Sequence, residues 1–203
     1  MSTEAELEKE FIERMATLES RLHLPEKFIQ RLLSEGDDWS FVIKLHALLE
    51  SAVSRLLAIS SGFDNVLEVF SRLELSDTSA GKLAFVRDIG LLDEDERRFI
   101  RSLSELRNKL VHDIKNVNFS FDRYMVDLDA NQIKSFVKCF AYNLPEQIEI
   151  EGTTFTKTDL VKKMPRRTVY LHACVILGKT YRHYEEAEIN KILRKAKPFQ
   201  NCS

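Results

Sequence analysis

The sequence predicts an all-α protein: a compact antiparallel helical bundle with a basic helical C-terminal extension and one short hairpin near residues 147–155. Two observations support this expectation. The chain of 203 residues contains only six glycines and four prolines, the residues that most often mark turns between strands. Apolar residues also recur at spacings of three and four along most of the chain, which is the pattern of amphipathic helices.

The N-terminal part of the chain predicts two helices. Apolar residues such as Phe11 and Met15 form one stripe along residues 4–22, so we expect an amphipathic helix there. A short second helix begins at Pro25, because proline is favoured in the first turn of a helix. Residues 1–24 are therefore predicted to pack as one helix against the body of the protein.

The next region contains the helix that we expect at the centre of the core. From Trp39 to about Ser60, apolar residues surround most of the circumference, which is typical of a buried helix. Glu50 is the exception to this apolar pattern. A short amphipathic segment follows over residues 66–73.

Two helices with clear start and stop signals occupy the middle of the chain. The stretch SDTSAG, residues 76–81, opens a helix that Gly90 can end with a left-handed residue. Asp93 and Glu96 have the spacing of a capping box, in which side chains and backbone pair reciprocally at a helix start. The periodic run after them predicts a helix that ends near His112. Beyond it we expect a polar turn and a short extended piece.

The last third predicts helix again, interrupted by one hairpin. Asp129 can cap a helix that ends before Pro145. Residues 147–155 alternate between apolar and polar, which indicates a short hairpin or edge strand. Helix then returns over residues 165–184 and 185–197.

Charge is unevenly distributed between the two ends of the chain. Residues 1–38 hold ten acids and five bases, whereas residues 157–197 hold eleven Lys or Arg and four acids. We expect a helical domain over residues 25–142 and a basic extension over residues 145–203. Such a segment can bind phosphate, or its bases can simply solvate the outer faces of two helices.

The composition also argues against several classes of protein. The longest apolar run, residues 169–178, is about half of the roughly twenty residues that a membrane span requires. The acidic N-terminus lacks a secretory signal, so we expect a cytoplasmic protein without membrane contact. The cysteines, Cys139, Cys174 and Cys202, have no CxxC spacing, which argues against a zinc site or a disulfide scaffold.

No motif for a bound cofactor or metal stands out in the sequence. The chain has no glycine-rich phosphate loop, no GxSxG and no HExxH. His46 and Glu50, four residues apart, have the spacing of two metal ligands on a helix, but a third ligand at suitable spacing is absent. A role in the core or on the helix surface is the simpler interpretation of this pair.

The most informative string is RNKLVH, residues 107–112, at the end of the predicted capping-box helix. Histidine exchanges protons near neutral pH, so His112 can act as a general base or acid. Arg107 can hold phosphate by a charged fork, and Asn108 can orient the substrate or the imidazole. Such a set suits metal-independent cleavage of RNA, in which the ribose 2′-hydroxyl attacks the adjacent phosphate. DNA lacks that hydroxyl and is expected to be spared.

Helix geometry refines this hypothesis. Arg107 and His112 lie five positions apart, about 140° around one helix, so they do not share a face. Glu105, Asn108 and His112 do share one. Two copies related by a two-fold axis can bring both motifs into one cleft, which favours a composite site in a homodimer. Alternatively, Arg107 pairs with an acid on a neighbouring helix and His112 is a helix-end residue that interacts with the helix dipole.

The RNKLVH string resembles the motif of the higher-eukaryote and prokaryote nucleotide-binding (HEPN) superfamily: arginine, a polar residue, three spacers and histidine. The resemblance implies a compact helical bundle, frequent dimerisation, and in many members ribonuclease activity in toxins, phage defence or RNA processing; other members are inactive binding modules. It implies that Arg107 and His112 form the catalytic pair, with Asn108 as a polar accessory. Glu50 is the candidate for an acid on an earlier helix, or else an ion-pair partner of Arg55 or Arg107.

A second resemblance covers residues 27–112. The apolar spacing of SFVIKLHALLESAVSRLL, and the IG turn before the acidic helix cap, are similar to the bacterial mannitol operon repressor family. That resemblance implies a helical, non-enzymatic transcription regulator that acts through a protein or nucleic-acid partner. The sequence thus leaves an RNA-directed ribonuclease, a regulator of this type and a plain helical interaction module as alternatives. Neither resemblance extends over residues 120–203.

Overall fold

The structure of the chain is a computed structural model that describes residues 4–63, 65–150 and 152–196. Within these residues the helices are α1 (Glu4–Arg21), α2 (Phe28–Leu32), α3 (Asp38–Ser60), α4 (Leu67–Arg72), α5 (Lys82–Asp88), α6 (Glu94–His112), a 3-10 helix (Ile114–Asn118), α7 (Phe121–Asp127), α8 (Ala130–Phe140), α9 (Lys157–Lys163) and α10 (Pro165–Ala196). The strands are β1 (Gln147–Ile150) and β2 (Thr153–Thr156). The predicted all-α class is therefore confirmed.

The two strands form the short hairpin that the alternating pattern predicts. They run antiparallel, with Gln147 opposite Thr156 and Ile150 opposite Thr153. Gly152 lies in the turn with φ of 76°, a left-handed conformation that glycine adopts without steric cost. The hairpin joins α8 to α9 and is the whole of the sheet structure within the described residues.

Helix α3 lies at the centre of the core, as its apolar circumference predicts. Its side chains Phe41, Leu49 and Leu56 are fully buried. α10 packs along α3, and α4, α5 and α6 contact it as well. The hydroxyl of Tyr184 in α10, itself fully buried, donates to the carbonyl of Ala52 in α3. The two longest helices are thus fixed against each other by both apolar packing and a buried hydrogen bond.

The basic C-terminal region differs from the two predicted segments because α10 is one continuous helix. No glycine or proline stands near residues 184–185 to end it, and Lys197 lies outside the described residues. Two of its bases are used inside the molecule. Arg166 pairs with Asp38 at 3.2 Å, and Lys179 pairs with Glu96 at 2.6 Å. These two bases therefore tie α10 to the rest of the core instead of facing a ligand.

Helix α6 begins and ends where the sequence predicts. The Asp93 carboxylate accepts from the Glu96 N–H at 3.0 Å, and the Glu96 carboxylate accepts from the Asp93 N–H at 2.8 Å. This reciprocal pair is the predicted capping box, and the helix continues to His112. The RNKLVH string therefore occupies the last two turns of a well-defined helix.

Two short helices depart from the expected connections. The segment after His112 was expected to be a turn and an extended piece, but it forms the 3-10 helix and α7. The N-terminus of α7 is held by Asp38, whose carboxylate accepts from the Phe121 N–H at 2.8 Å. Helix α9 follows the hairpin directly. Each of α7 and α9 is seven residues long, too short for a helical period to be recognised in the sequence.

No helix within the described ranges is both long enough and apolar enough to cross a membrane.

Candidate functional site

The C-terminal turn of α6 is held by two side chains from other elements. The last carbonyl groups of a helix have no partner within it. In α6 the Lys109 carbonyl accepts from the Asn116 amide at 2.8 Å, and the Leu110 carbonyl accepts from the indole N–H of Trp39 at 3.2 Å. The helix end that carries His112 is therefore fixed to α3 and to the 3-10 helix.

Arg107 is half-buried on α6 and its charge is not neutralised by an acid. Its Nη1 donates to Oδ1 of the adjacent Asn108 at 3.0 Å. Within the described residues it forms no ion pair, whereas two other arginines of the same helix pair with acids one turn away, Arg97 with Glu94 and Arg98 with Asp95. The alternative in which Arg107 pairs with an acid of a neighbouring helix is therefore not what the structure shows.

His112 is the last residue of α6 and its side chain is exposed. In the part of the chain that the structure describes, the ring makes no hydrogen bond and no ion pair. It is not buried against the leucines of the core. The imidazole is thus an exposed group without a partner at a helix end that is itself fixed.

His46 is buried, and the charges of two candidate site residues act on its ring. Its Nε2 is 3.1 Å from the hydroxyl of Ser104 in α6, and that hydroxyl donates to the Ile100 carbonyl at 2.9 Å. The hydroxyl therefore accepts from Nε2–H. Burial lowers the pKa of His46, and the nearby positive charge of Arg107 lowers it further, while the carboxylate of Glu50 opposes the shift. The His46 ring is thus neutral at neutral pH and close to both charges.

Glu50 is paired with a residue that sequence analysis did not identify. The ammonium of Lys82 in α5 lies 2.7 Å from the Glu50 carboxylate and 3.4 Å from the Ser71 carbonyl. The Lys82 side chain is 0% exposed, and that of Glu50 is 37% exposed. The partner is therefore neither Arg55 nor Arg107, although Arg55 lines the same cleft of about 320 Å³. The sequence contains one sign of this pair: Lys82 directly precedes the apolar residues of α5, so its ammonium group is expected to need a counter-charge if the segment is buried.

The structure therefore brings the candidate residues together only in part. Arg107 donates a hydrogen bond to Asn108, and the charges of Arg107 and Glu50 both influence the pKa of His46. His112 lies about 140° further around α6, on the open face. Within the described residues, no three His, Cys, Asp or Glu side chains are grouped so that they could hold a metal ion.

The stability of the fold is expected to fall as the pH is lowered from 7 to 5, in part because of His46. Its pKa is below the ordinary value in the folded protein, whereas the unfolded chain binds this proton near pH 6.5. Above pH 7 the ring is neutral in both states, so His46 does not change the free energy of unfolding. As the pH falls from 6.5 toward the folded-state pKa, the free energy of unfolding falls by at most about 1.4 kcal/mol per pH unit, because only the unfolded chain binds the proton. Burial lowers the pKa of His172 as well, so this residue acts in the same direction.

The contribution of His46 can be isolated with the His46→Gln variant. A glutamine amide can still donate to Ser104 but cannot bind a proton in this range. Urea unfolding at pH 7, 6 and 5 should show a smaller loss of stability for the variant than for the wild type. An identical pH dependence in both proteins would contradict a neutral, buried His46.

The chain matches no family model, no curated protein and no solved structure. The resemblances to the HEPN superfamily and to the mannitol operon repressor family therefore depend on the residues of the chain alone. The function must be argued from the geometry at the end of α6.

Proposed function

We propose that the protein is an RNA-directed, HEPN-like, metal-independent endoribonuclease of a defence or toxin–antitoxin system, with Arg107 and His112 as its catalytic pair. One observation carries the proposal. Within the described residues, the motif's arginine has no acidic partner and its histidine is exposed without any partner, on a helix end that Trp39 and Asn116 fix. By contrast, Arg97 near the start of the same helix is neutralised by Glu94.

The proposed reaction assigns one role to each residue. His112 takes the proton of a ribose 2′-hydroxyl, and the oxygen attacks the adjacent phosphorus while the bond to the 5′-oxygen breaks. The products are a 2′,3′-cyclic phosphate and a 5′-hydroxyl, whose oxygen takes a proton from water as it leaves. The hydroxide so formed is neutralised by the proton that His112 has taken from the 2′-hydroxyl. Arg107 neutralises the charge that accumulates on the phosphoryl oxygens. Asn108 orients the Arg107 guanidinium through their 3.0 Å hydrogen bond.

We place Glu50 outside the catalytic set. Its carboxylate forms an ion pair with the buried ammonium of Lys82 and neutralises that charge. The negative charge of Glu50 still acts on His46, one turn earlier on α3. Its role in the proposal is therefore to stabilise the fold by neutralising Lys82.

The proposed site is completed by a second copy of the chain. Arg107 and His112 lie about 140° apart on α6, so one helix does not direct both at one phosphate. Exposed apolar side chains adjoin the motif: Val111 on α6, and Ile114 and Val117 on the 3-10 helix. Burying such residues against a partner is favourable, and a two-fold axis there would bring the two α6 ends together. We therefore propose a cytoplasmic homodimer that acts on RNA.

The proposed activity is tested with matched nucleic acids. In EDTA, the wild-type protein should cleave single-stranded RNA and leave DNA of the same sequence intact, because DNA lacks the attacking hydroxyl. The RNA products should carry 2′,3′-cyclic phosphate ends. Equal cleavage of RNA and DNA would exclude the proposed reaction. Well-folded protein that binds RNA or DNA without cleaving it would favour the non-enzymatic regulator of the mannitol-repressor type.

The proposed dimer interface gives a prediction for Ile114→Asp. Ile114 is 79% exposed in the single chain, so an aspartate there should not destabilise the fold. If the residue is buried between two copies, the buried charge should shift the protein from dimer to monomer and reduce RNA cleavage. Sedimentation at micromolar concentration measures the change.

The matched control for this interface is Ile189→Asp. Ile189 is 56% exposed on α10, which is the same kind of surface position on another helix. This variant should keep the oligomeric state and the cleavage rate of the wild type. A wild-type protein that is monomeric at micromolar concentration would contradict the composite cleft.

A further inference from the structure

A small cleft lies beside the motif, on the flank of α6 that faces α7 and α8. It encloses about 200 Å³. Three buried apolar side chains form its floor: Leu106, Phe136 and Phe140. Glu105 and Lys109 of α6 stand at its rim and are exposed. The cleft is thus a small apolar slot with polar edges.

Several polar side chains at the rim have donors or acceptors that form no hydrogen bond within the described residues. Glu105 and Lys109 are four residues apart, yet within the described residues they form no ion pair with each other or with other groups. Ser135 on α8 is likewise without a side-chain hydrogen bond there. Gln132 uses its Oε1 to accept from the Asp129 N–H at 2.9 Å, which leaves its amide donors available. The rim therefore offers both donors and acceptors to a ligand.

One wall of the cleft is an aromatic ring. Tyr124 of α7 lines it, with its ring centroid 6.2 Å from that of Phe136 and 5.7 Å from that of Phe119. Burial raises the pKa of Tyr124, so its hydroxyl keeps its proton and can donate. An aromatic wall above an apolar floor suits a flat heterocycle, because such rings stack on aromatic side chains.

The position of the cleft connects it with the proposed cleavage site. Lys109 at the rim precedes His112 by three residues, about 4.5 Å along the helix axis. Glu105 at the rim also lies on the same face of α6 as His112. A ribose whose 2′-hydroxyl is at His112 would therefore lie within one to two helical turns of the cleft.

We propose that the cleft between α6, α7 and α8 binds one nucleobase of the RNA next to the cleaved phosphate, and thereby sets base preference. This inference rests on the proposed ribonuclease function for its role, but the binding of a base does not require that function. A base presents ring faces for Tyr124 and an edge of donors and acceptors for Gln132, Ser135 and Glu105.

The cleft contains a natural probe of its own occupancy. Cys139 lines it and is partly exposed. Cys174 is only 4% exposed, and burial raises the pKa of its thiol to about 12, so it reacts slowly. Alkylation of the wild-type protein by iodoacetamide, followed by mass spectrometry of the peptides, therefore reports access to Cys139 separately from the other cysteines.

Nucleoside monophosphates should protect Cys139 from alkylation. A ligand with a Kd of about 1 mM, present at about 10 mM, should slow the reaction about tenfold. At least one of the four monophosphates is expected to do so, while ribose 5-phosphate, which lacks a base, should not. Equal protection by ribose 5-phosphate, or protection by none of the four, would overturn the inference.

The Gln132→Glu variant tests the specific contact. Glutamate also serves in a capping box, so the start of α8 is preserved while the amide donors are replaced by a carboxylate. The affinity for the protecting monophosphate should fall at least about fivefold, so that an about tenfold slowing of alkylation becomes about threefold or less, as expected when a bound base loses a hydrogen-bond donor and gains a repelling acceptor. Gln147→Glu, the same change at an exposed position of β1, should leave protection unchanged. Protection equal to the wild type in Gln132→Glu would contradict base recognition by this rim.

These outcomes distinguish a failure of base binding in the cleft from a failure of the proposed ribonuclease activity. Protection of Cys139 in a protein that cleaves no RNA would support base binding and reject the proposed activity. Cleavage of RNA without any protection of Cys139 would support the activity and reject this cleft. Where both hold, mapping of the cleaved sites should show a base preference that Gln132→Glu alters and Gln147→Glu does not.

Discussion

Replacement of His112 by alanine is expected to lower the rate of RNA cleavage by about 10²- to 10⁴-fold, the usual contribution of a positioned general acid or base. The side chain is exposed and has no partner within the described residues, so the fold should not change. Single-turnover cleavage of a labelled RNA measures the loss, and thermal unfolding verifies the fold. His23→Asn is a suitable control: His23 is exposed with φ of 55°, a conformation that asparagine tolerates, and the cleavage rate should be that of the wild type.

Mixing two inactive variants tests whether the site is shared between two chains. Arg107→Ala and His112→Ala should each be inactive alone. After exchange of subunits, half of the dimers contain one chain of each variant. If each site takes its arginine from one chain and its histidine from the other, one of the two sites in such a mixed dimer is intact and the other lacks both residues. Activity should then recover to about a quarter of the wild-type value. A mixture as inactive as its two components would contradict a composite site.

Replacement of Glu50 by alanine is expected to destabilise the protein by about 2–3 kcal/mol, because it leaves the buried Lys82 ammonium without its counter-charge. The expected loss of stability is smaller than for a fully buried ion pair, because the Glu50 side chain is 37% exposed and water can take over part of its interaction with Lys82. Urea unfolding at pH 7 measures the change. Glu68→Ala removes a fully solvated ion pair, with Arg72, and should change stability by less than about 0.5 kcal/mol.

A second substitution distinguishes the structural role of Glu50 from a catalytic one. In Glu50→Ala/Lys82→Met the buried charge is gone and the methionine fills most of the space of the lysine stem, so much of the lost stability should return. If Glu50 only neutralises Lys82, this double variant should cleave RNA at close to the wild-type rate. A stable double variant that has lost cleavage would instead return Glu50 to the catalytic set.

The features that could be predicted from the sequence are those that local chemistry determines. Asp93 and Glu96 define the start of α6 because a capping box needs only residues three apart. The apolar circumference of residues 39–60 predicts a central helix for the same kind of reason: it depends on spacing within one segment. The location of RNKLVH at the end of α6 followed from the capping box and from the helical period of the residues after it.

The features that sequence analysis missed depend on contacts between distant segments. Lys82 meets Glu50, 32 residues earlier, and His46 meets Ser104, 58 residues later; no periodicity within one helix encodes such pairs. From the sequence alone, the candidate partners of Glu50 are therefore the arginine nearby on the same helix, Arg55, and the arginine of the motif, Arg107. The continuity of α10 was missed for a different reason, since the expected break near residue 184 had no glycine or proline to produce it.

The cleft beside α6 was missed because its walls come from three helices, one of which was not predicted. Tyr124 belongs to α7, a helix that the sequence pattern did not predict. Glu105 was visible in the sequence as a residue of the face that also carries Asn108 and His112. Without α7 and the packing of α8, however, nothing indicated that this face borders an apolar slot.

The central claim is most directly tested by one cleavage assay on a mixed, labelled RNA pool in EDTA, with the wild type, Arg107→Ala and His112→Ala compared at equal concentrations. We expect cleavage by the wild type alone, with 2′,3′-cyclic phosphate at the new ends. Equal cleavage by all three proteins, or none by a well-folded wild type, would contradict it. The end of α6 would then be a binding surface, and the search would turn to the partner of a helical regulator.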